Sequence, residues 1–287
     1  MESGKAIEKK ARDRLNKTSI FDMFSMEQKR DECVTLLKQA GNRYLTEKNP
    51  TDGIRCLKDC NEIYREIKGE EHLICENLRL MVQHGKDVCS LEEIMSFYVA
   101  IADYHGLKGD LSRYNAQYLE MAKIYEDANQ LDLALSALTK CVDDKYPDKV
   151  LEKKADILLK LKKYADASNI FQQVAENQLA KPLGSFSARK QFCMAMLCVL
   201  ALGDLVLAER SLNSINNADY AFASTKEGIL VTDILKALND NNQENFEYAC
   251  ADYDKIIKLT PTQVDLLMDA KSMLTGKEGV DEDYDLS

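Results

Sequence analysis

The sequence predicts an all-α protein, built as a solenoid of stacked antiparallel helix pairs that closes into a C-terminal helical bundle. Three observations predict this fold class. The chain has no Trp, only 12 Gly and 4 Pro, and is rich in helix-forming residues. Apolar residues recur at helical spacing along almost its whole length. A degenerate apolar triplet also repeats about every 40 residues, which is the length of one helix pair.

Composition and charge limit the classes of protein to consider. The chain has 287 residues, of which 45% are hydrophobic, enough to bury the core of one or two domains. A net charge of -10 opposes binding to phosphate backbones, so we expect no nucleic-acid partner. The first fifteen residues are charged throughout and lack the apolar stretch of a secretory signal. The longest apolar run, 192–202, is shorter than the roughly 20 residues that cross a bilayer. We therefore expect a cytoplasmic protein, peripherally associated with membranes at most.

The cysteines and histidines do not suggest a metal centre. None of the nine cysteines forms a CxxC pair, and the three histidines lie in no ligand spacing with them. Cys56 and Cys60 share a helical face, but two thiolates without further ligands make a poor metal site. We expect reduced, mostly buried thiols, no metal and no cofactor.

The elements follow one another as helices with short breaks. A charged helix over 2–16 precedes an apolar segment, and an amphipathic helix begins near Glu27. Its apolar stripe comprises Cys33, Leu36, Leu37, Ala40 and Tyr44. Proline marks the later breaks, at Asn49-Pro50-Thr51, Tyr146-Pro147, Lys181-Pro182-Leu183-Gly184 and Thr260-Pro261. Thr260 suits the N-cap of the last helix and Pro261 its first position, and Gly276 suits its end.

The repeat is a large or turn residue, a small residue three positions on, and a large apolar residue four further. Its first members at 131, 164, 205 and 246 are 33, 41 and 41 residues apart, and looser copies begin at 91 and 50. The small residue lets a partner helix approach while the large ones fill the groove, as in tetratricopeptide-like stacks. The alternative is chance matching in a chain rich in Ala and Leu.

Motifs for catalysis are absent from the sequence. No GxxxxGK[ST], GxSxG or HExxH occurs, and no Cys/His pair has the context of a nucleophile. We therefore predict no catalytic residue and favour an interaction protein over an enzyme. Two rivals stay open at this point: a generic tetratricopeptide-type peptide-binding scaffold, and a helical enzyme or metal protein.

Several segments together resemble one family. Phe171-Gln-Gln-Val174, interpreted as closing a helix, and the later segment Ser187–Cys198 are similar to the central part of α-type soluble NSF attachment proteins. The similarity extends to Thr18–Phe24, to Asp252-Tyr-Asp254 and to the acidic end 281–286. Each motif alone is weak, but their order and spacing are specific.

The resemblance implies an adaptor in vesicle fusion. Such proteins bind the outside of a SNARE four-helix bundle with a concave face and touch the membrane with an N-terminal apolar loop. They also recruit and stimulate an NSF-type AAA ATPase that disassembles the bundle. The implied organisation is a solenoid over 1–200 with a membrane-contact loop at 18–26, a helical bundle over 201–276 and an acidic tail over 277–287.

The resemblance assigns membrane contact to Ile20, Phe21, Met23 and Phe24. Burial of four such side chains contributes about 6 to 10 kcal/mol when complete, and less for partial insertion, which suits reversible binding. The alternative from periodicity is that they staple the first helix onto the second. The glycines common around this loop in the family are missing here.

Basic residues are assigned to the SNARE bundle. The helix predicted over Asp148–Lys163 carries six lysines against three acids, with Lys149, Lys153, Lys160 and Lys163 on one stripe that Asp156 interrupts. Lys149 and Lys153 align with basic contacts of the family, Lys226 aligns with another, and Lys108 and Arg113 are nearby candidates. The alternative is a solvated helix face.

The tail is assigned to the ATPase, through Glu282, Asp283, Asp285 and the penultimate Leu286. Composition alone would describe a solvating acidic tail. Asp285 and Leu286 match the family ending, whereas Ser287 stands where a basic residue is common.

Overall fold

The computed structural model describes residues 2–16, 26–67, 69–142 and 147–275, and within these ranges it contains fourteen α-helices and no strand. The all-α fold class is thereby confirmed. The helices are α1 (Gly4–Asn16), α2 (Met26–Thr46), α3 (Pro50–Arg65), α4 (Glu71–His84), α5 (Leu91–Leu107), α6 (Leu111–Asp127), α7 (Leu131–Thr139), α8 (Pro147–Lys160), α9 (Tyr164–Leu179), α10 (Ser185–Leu202), α11 (Leu205–Ala218), α12 (Lys226–Asn239), α13 (Gln243–Ile256) and α14 (Pro261–Thr275).

Local sequence sets the helix starts. Pro50, Pro147 and Pro261 each occupy the first position of a helix, as predicted, because proline lacks the N–H that would be unpaired there. The Asn49 and Thr260 side chains accept hydrogen bonds from the backbone N–H three residues on, at 3.3 Å each. Similar caps start α5, α6, α11, α12 and α13.

The repeated triplet corresponds to one helix pair. Each copy lies at or near the start of an odd-numbered helix, from α3 to α13. Gly53, the small residue of the first copy, leaves no room for a Cβ, which would lie 2.8 Å from Leu45. The second and third residues are buried in every copy: Gly53 and Leu57, Ile94 and Tyr98, Ala134 and Leu138, Ala167 and Phe171, Ala208 and Leu212, Ala249 and Tyr253.

The chain forms two compact units. Unit 1 comprises Met1–Ala128 with Thr139–Lys145, and unit 2 comprises Asn129–Leu138 with Tyr146–Ser287. These units are separated by the density of contacts within each of them. The boundary predicted at residue 200 is of another kind, because it separates stacked helix pairs from a helical bundle. That boundary stays a prediction.

In unit 1, each of the helices α1 to α6 packs on the next. The odd-numbered helices form one layer and the even-numbered helices the other, and ion pairs join alternate helices within a layer. Arg55 of α3 reaches Glu8 of α1 at 2.7 Å, and Lys58 of α3 pairs with Glu93 of α5. In the other layer Lys38 of α2 pairs with α4. Glu8 is buried and accepts hydrogen bonds from Arg55, Arg12 and Tyr44. These hydrogen bonds, those from Arg55 foremost, lower the pKa of Glu8 to about 2 although burial opposes the shift.

Unit 2 is built around α10, which packs on α9, α11, α12 and α14. Phe192, Met196 and Leu200 of this helix are almost completely buried. By length and composition α10 is the one helix of the described residues that could cross a membrane, but its apolar side chains form the centre of this core. Cys193 and Cys198 are buried there too, and all nine cysteines of the chain are free thiols.

Two predicted helix ends are wrong. α9 continues to Leu179, so Phe171–Val174 lies inside a helix instead of closing one. No Gly or Pro interrupts this segment before Pro182. α8 ends at Lys160, because Lys162 adopts a left-handed conformation (φ 54°) and the N–H of Lys163 bonds back to the Leu158 carbonyl. Lys163 therefore leaves the predicted lysine stripe.

Candidate functional site

Eight of the predicted site residues lie outside the described residues. These are the membrane-contact residues Ile20, Phe21, Met23 and Phe24 and the tail residues Glu282, Asp283, Asp285 and Leu286. Their roles stay predictions. The five basic candidates are all described, and they fall in both units.

Lys108 and Arg113 flank the turn between α5 and α6 in unit 1. Lys108 caps α5 and is exposed, with its ammonium 5.9 Å from the centre of the Tyr104 ring. Arg113 is exposed and pairs with Asp110 at 3.4 Å. Leu107 is among the exposed large apolar residues, so this turn presents two bases beside one apolar side chain.

A buried histidine, His105, lies in the last turn of α5 beside this connection. Arg79 lies 2.9 Å from His105 Nε2, and because arginine can only donate, that ring nitrogen accepts. Burial, followed by the charge of Arg79, lowers the pKa of His105. His105 is therefore neutral at pH 7 and adds no charge to the turn.

In unit 2, α8 carries two of the predicted bases near its start. Lys149 is exposed and Lys153 half-buried. Asp148 accepts hydrogen bonds from Lys181 at 2.5 Å and Asn177 at 3.4 Å, which ties the start of α8 to the end of α9. Glu152 accepts a hydrogen bond from Gln191 of α10 at 3.3 Å, and burial raises its pKa. Lys163 pairs with Asp132 at 3.2 Å.

The turn between α9 and α10 lies beside this start of α8. Leu183 is 99% exposed and has a positive φ of 64°. Phe186 is 65% exposed, and the Lys190 ammonium lies 4.4 Å from the centre of its ring. A Cβ on Gly184 would lie 1.8 Å from the Gln178 carbonyl oxygen, so only glycine fits and the turn has a fixed geometry.

The connection between α11 and α12 lies at the same end of unit 2. Arg189, in the first part of α10, bonds Asp219 at 2.6 Å, and the Phe192 ring packs edge-on to Phe222 with centroids 6.0 Å apart. Lys226 follows as the first residue of α12 and is exposed. Tyr220, in the same connection, is also exposed.

We call this end of unit 2 the apolar–basic edge, defined as Lys149, Lys153, Lys181, Leu183, Phe186, Lys190, Tyr220 and Lys226. Sequence analysis found three of its bases but missed Leu183, Phe186 and Tyr220. For Leu183 the available signal was its place inside a turn marked by Pro182 and Gly184, where helix periodicity offers it no core position. An edge of this composition suits an acidic partner surface with apolar grooves.

Within the described residues, no group of three or more His, Cys, Asp or Glu side chains is arranged to hold a metal ion.

Comparison with known proteins gives the family. The sequence model of the family described as soluble NSF attachment protein, SNAP, matches residues 2–275. A probable vesicular-fusion protein sec17 homolog of Neurospora crassa is 27% identical, over 82% of each chain. The alpha-soluble NSF attachment protein of Homo sapiens is 24% identical over 88% of this chain and 73% of its own length. That of Vitis vinifera is 21% identical over 99% of this chain and 98% of its own. The chain therefore belongs to the soluble NSF attachment protein family.

Proposed function

We propose that this chain is a non-enzymatic adaptor that binds SNARE four-helix bundles and brings an NSF-type AAA ATPase to them for disassembly. The observation that carries the proposal is the apolar–basic edge, together with membership of a family whose relatives are named for vesicular fusion and NSF attachment.

The edge supports binding to an acidic helical bundle by two physical contributions. Lys149, Lys153 and Lys226 steer an acidic partner and set its orientation, because exposed charges act over about a Debye length of 8 to 10 Å. Leu183 and Phe186 supply affinity, because they lose most of their exposed surface when a partner covers them. The α5–α6 turn of unit 1 is proposed as a further, weaker contact.

The two ends of the chain are proposed to add the remaining contacts. Ile20, Phe21, Met23 and Phe24 would hold the adaptor at a membrane surface and raise its concentration near membrane-anchored bundles. Glu282, Asp283, Asp285 and Leu286 would meet the ATPase and stimulate it. Several copies around one bundle would multiply individually weak contacts.

The direct test is reconstitution of SNARE bundle dissociation with the ATPase and ATP, with and without this chain. We expect dissociation only in its presence, and loss of bundle binding in Lys149→Glu/Lys153→Glu. A matched control is Lys86→Glu/Lys123→Glu, which makes the same charge change at two exposed lysines of unit 1. Bundle binding retained by the first variant in a pull-down, or lost equally by the control, would remove the edge from the proposal.

A further inference from the structure

Three helices of unit 1 line a cavity that the proposed function does not use. It has a volume of about 350 Å³, which lies in the range of small-ligand pockets, and its side chains come from α3, α4 and α5. Leu78, Met81 and Phe97 form its apolar wall, and all three are buried. The lining residues of α3 share one face of that helix and are polar: Lys58, Asn61, Glu62 and Arg65. The cavity therefore suits a ligand with an apolar body and a polar end.

Asn61 is the buried polar group of this cavity. It is 3% exposed, and its Oδ1 accepts a hydrogen bond of 2.8 Å from Nδ2 of Asn77. Its own Nδ2 donates to no group of the described residues, although the side chain lines the cavity. A buried donor without an acceptor carries a desolvation cost. The amide of Asn61 therefore favours a ligand that brings an acceptor.

The two bases of the cavity differ in their partners. Lys58 pairs with Glu93 of α5, and its ammonium lies 5.8 Å from the centre of the Phe97 ring. Arg65 is exposed and makes no ion pair with any residue that the structure describes. A guanidinium can bind both oxygens of a carboxylate in a planar, bidentate arrangement. Arg65 and Asn61, one helical turn apart, thus both offer donors, which favours a carboxylate as the polar end.

The size of the cavity limits the kind of carboxylate. Lys58 and Arg65 are seven residues apart, which is about 10 Å along the helix axis. A partner helix is about 10 to 12 Å wide with its side chains, too wide to enter. In an extended peptide, neighbouring side chains point to opposite faces, so an acidic residue next to an apolar one cannot share its cavity. A chain-terminal residue meets both requirements, because its carboxylate and its side chain are attached to the same Cα.

We propose that this cavity binds the C-terminal residue of a partner peptide, with an apolar side chain against the apolar wall and its carboxylate on Arg65 and Asn61. Glu62, which is exposed and also lines the cavity, accepts the backbone N–H of the same residue. A free organic acid has no such N–H to donate. The site contains no residue of the apolar–basic edge, so its failure and that of the proposed function are distinguishable.

The probe is N-acetyl-leucine, which has the carboxylate, the apolar side chain and the amide N–H of a terminal residue. Titration of the full-length chain, followed by ligand-observed NMR, should show saturable binding with a Kd on the order of 1 mM. N-acetyl-leucinamide, which lacks the carboxylate, should bind at least tenfold more weakly, and octanoate, which lacks the N–H, severalfold more weakly. Arg65→Glu should weaken binding of N-acetyl-leucine at least tenfold. Lys123→Glu is the matched control, because Lys123 is exposed in α6 of the same unit and does not line the cavity.

The buried donor is tested by Asn61→Asp, which keeps an acceptor for Asn77 and replaces the NH₂ group by an oxygen. We expect at least a tenfold loss of binding. Circular dichroism checks the fold, and Ser96→Phe, which narrows the cavity from an exposed position on α5, replaces Asn61→Asp if that variant does not fold.

Each contrary outcome overturns the proposal. Absence of saturable binding at about ten times the expected Kd overturns it, and so does equal binding of N-acetyl-leucinamide. Equal losses in Arg65→Glu and Lys123→Glu, or full binding in Asn61→Asp or its replacement, place the probe elsewhere on the protein. Octanoate that binds as tightly as N-acetyl-leucine identifies a free organic acid as the ligand and excludes the peptide terminus.

Discussion

Replacement of Leu183 by Asn should weaken bundle binding while stabilising the protein. Leu183 is 99% exposed, so its removal costs almost no buried contact. Its φ of 64° lies in the left-handed region, which disfavours leucine and which asparagine tolerates. Relief of this strain should raise the free energy of unfolding by about 0.5 to 1 kcal/mol.

The expected loss of affinity comes from the same side chain. Complete burial of a leucine contributes about 1.5 to 3 kcal/mol, and burial against a partner at one edge about 1 to 2 kcal/mol. At 1.4 kcal/mol per tenfold, Leu183→Asn should bind a SNARE bundle roughly 5- to 30-fold more weakly. Denaturant unfolding measures the stability, and titration of labelled bundle measures the affinity.

The control for the backbone contribution is Lys48→Asn, because Lys48 has a similar φ of 59° in unit 1. We expect the same gain in stability from it and no change in binding. The hypothesis is that the protein keeps a strained leucine at position 183 because its side chain contacts a partner. Unchanged affinity in Leu183→Asn would refute it. A loss of stability in Leu183→Asn that Lys48→Asn does not share would also refute it.

Three further predictions concern the two ends of the chain and the core of unit 1. Phe21→Ser/Phe24→Ser should reduce sedimentation with liposomes, and unchanged sedimentation would favour the staple between the first two helices. Leu286→Ala should spare bundle binding and lower ATPase stimulation; an unaltered rate would remove Leu286 from the mechanism. Because the pKa of Glu8 is about 2 when folded and near 4.5 otherwise, its carboxylate stabilises the fold above about pH 4.5, and that contribution is lost as pH falls toward 2. The difference in unfolding free energy between the natural chain and Glu8→Gln should shrink by about 2 to 3 kcal/mol over this range, and a constant difference would contradict the assignment.

The fold was predictable because its signals are local. Periodicity locates the helices, Pro50, Pro147 and Pro261 mark helix starts, and the repeated small residues mark helix contacts. The end of α8 was predicted wrongly because the residue that ends it in a left-handed conformation is Lys162. Glycine is the usual residue at such a position, and a lysine there gives no sequence signal for a helix end.

The composition of the candidate site depended on tertiary contacts that a sequence does not display. Lys226 lies at the same end of unit 2 as Lys149 because Arg189 bonds Asp219 thirty residues away, and because Asp148 bonds Lys181. Leu183 and Phe186 look like core residues by type, and only their exposure reveals them as surface. The sequence therefore predicted three of the five bases of this edge and none of its apolar residues.

The contacts of α10 with four other helices have a mechanical consequence. In a simple stack, each helix pair touches only its neighbours, and such arrays can unravel from one end one pair at a time. In unit 2, α14 packs directly on α10, so α14 cannot leave without exposing apolar side chains of the central core. Unit 2 should therefore unfold cooperatively, and not helix by helix, when force is applied to its C-terminal end. Below the unfolding force, it should transmit the applied force to partners bound on its other surfaces.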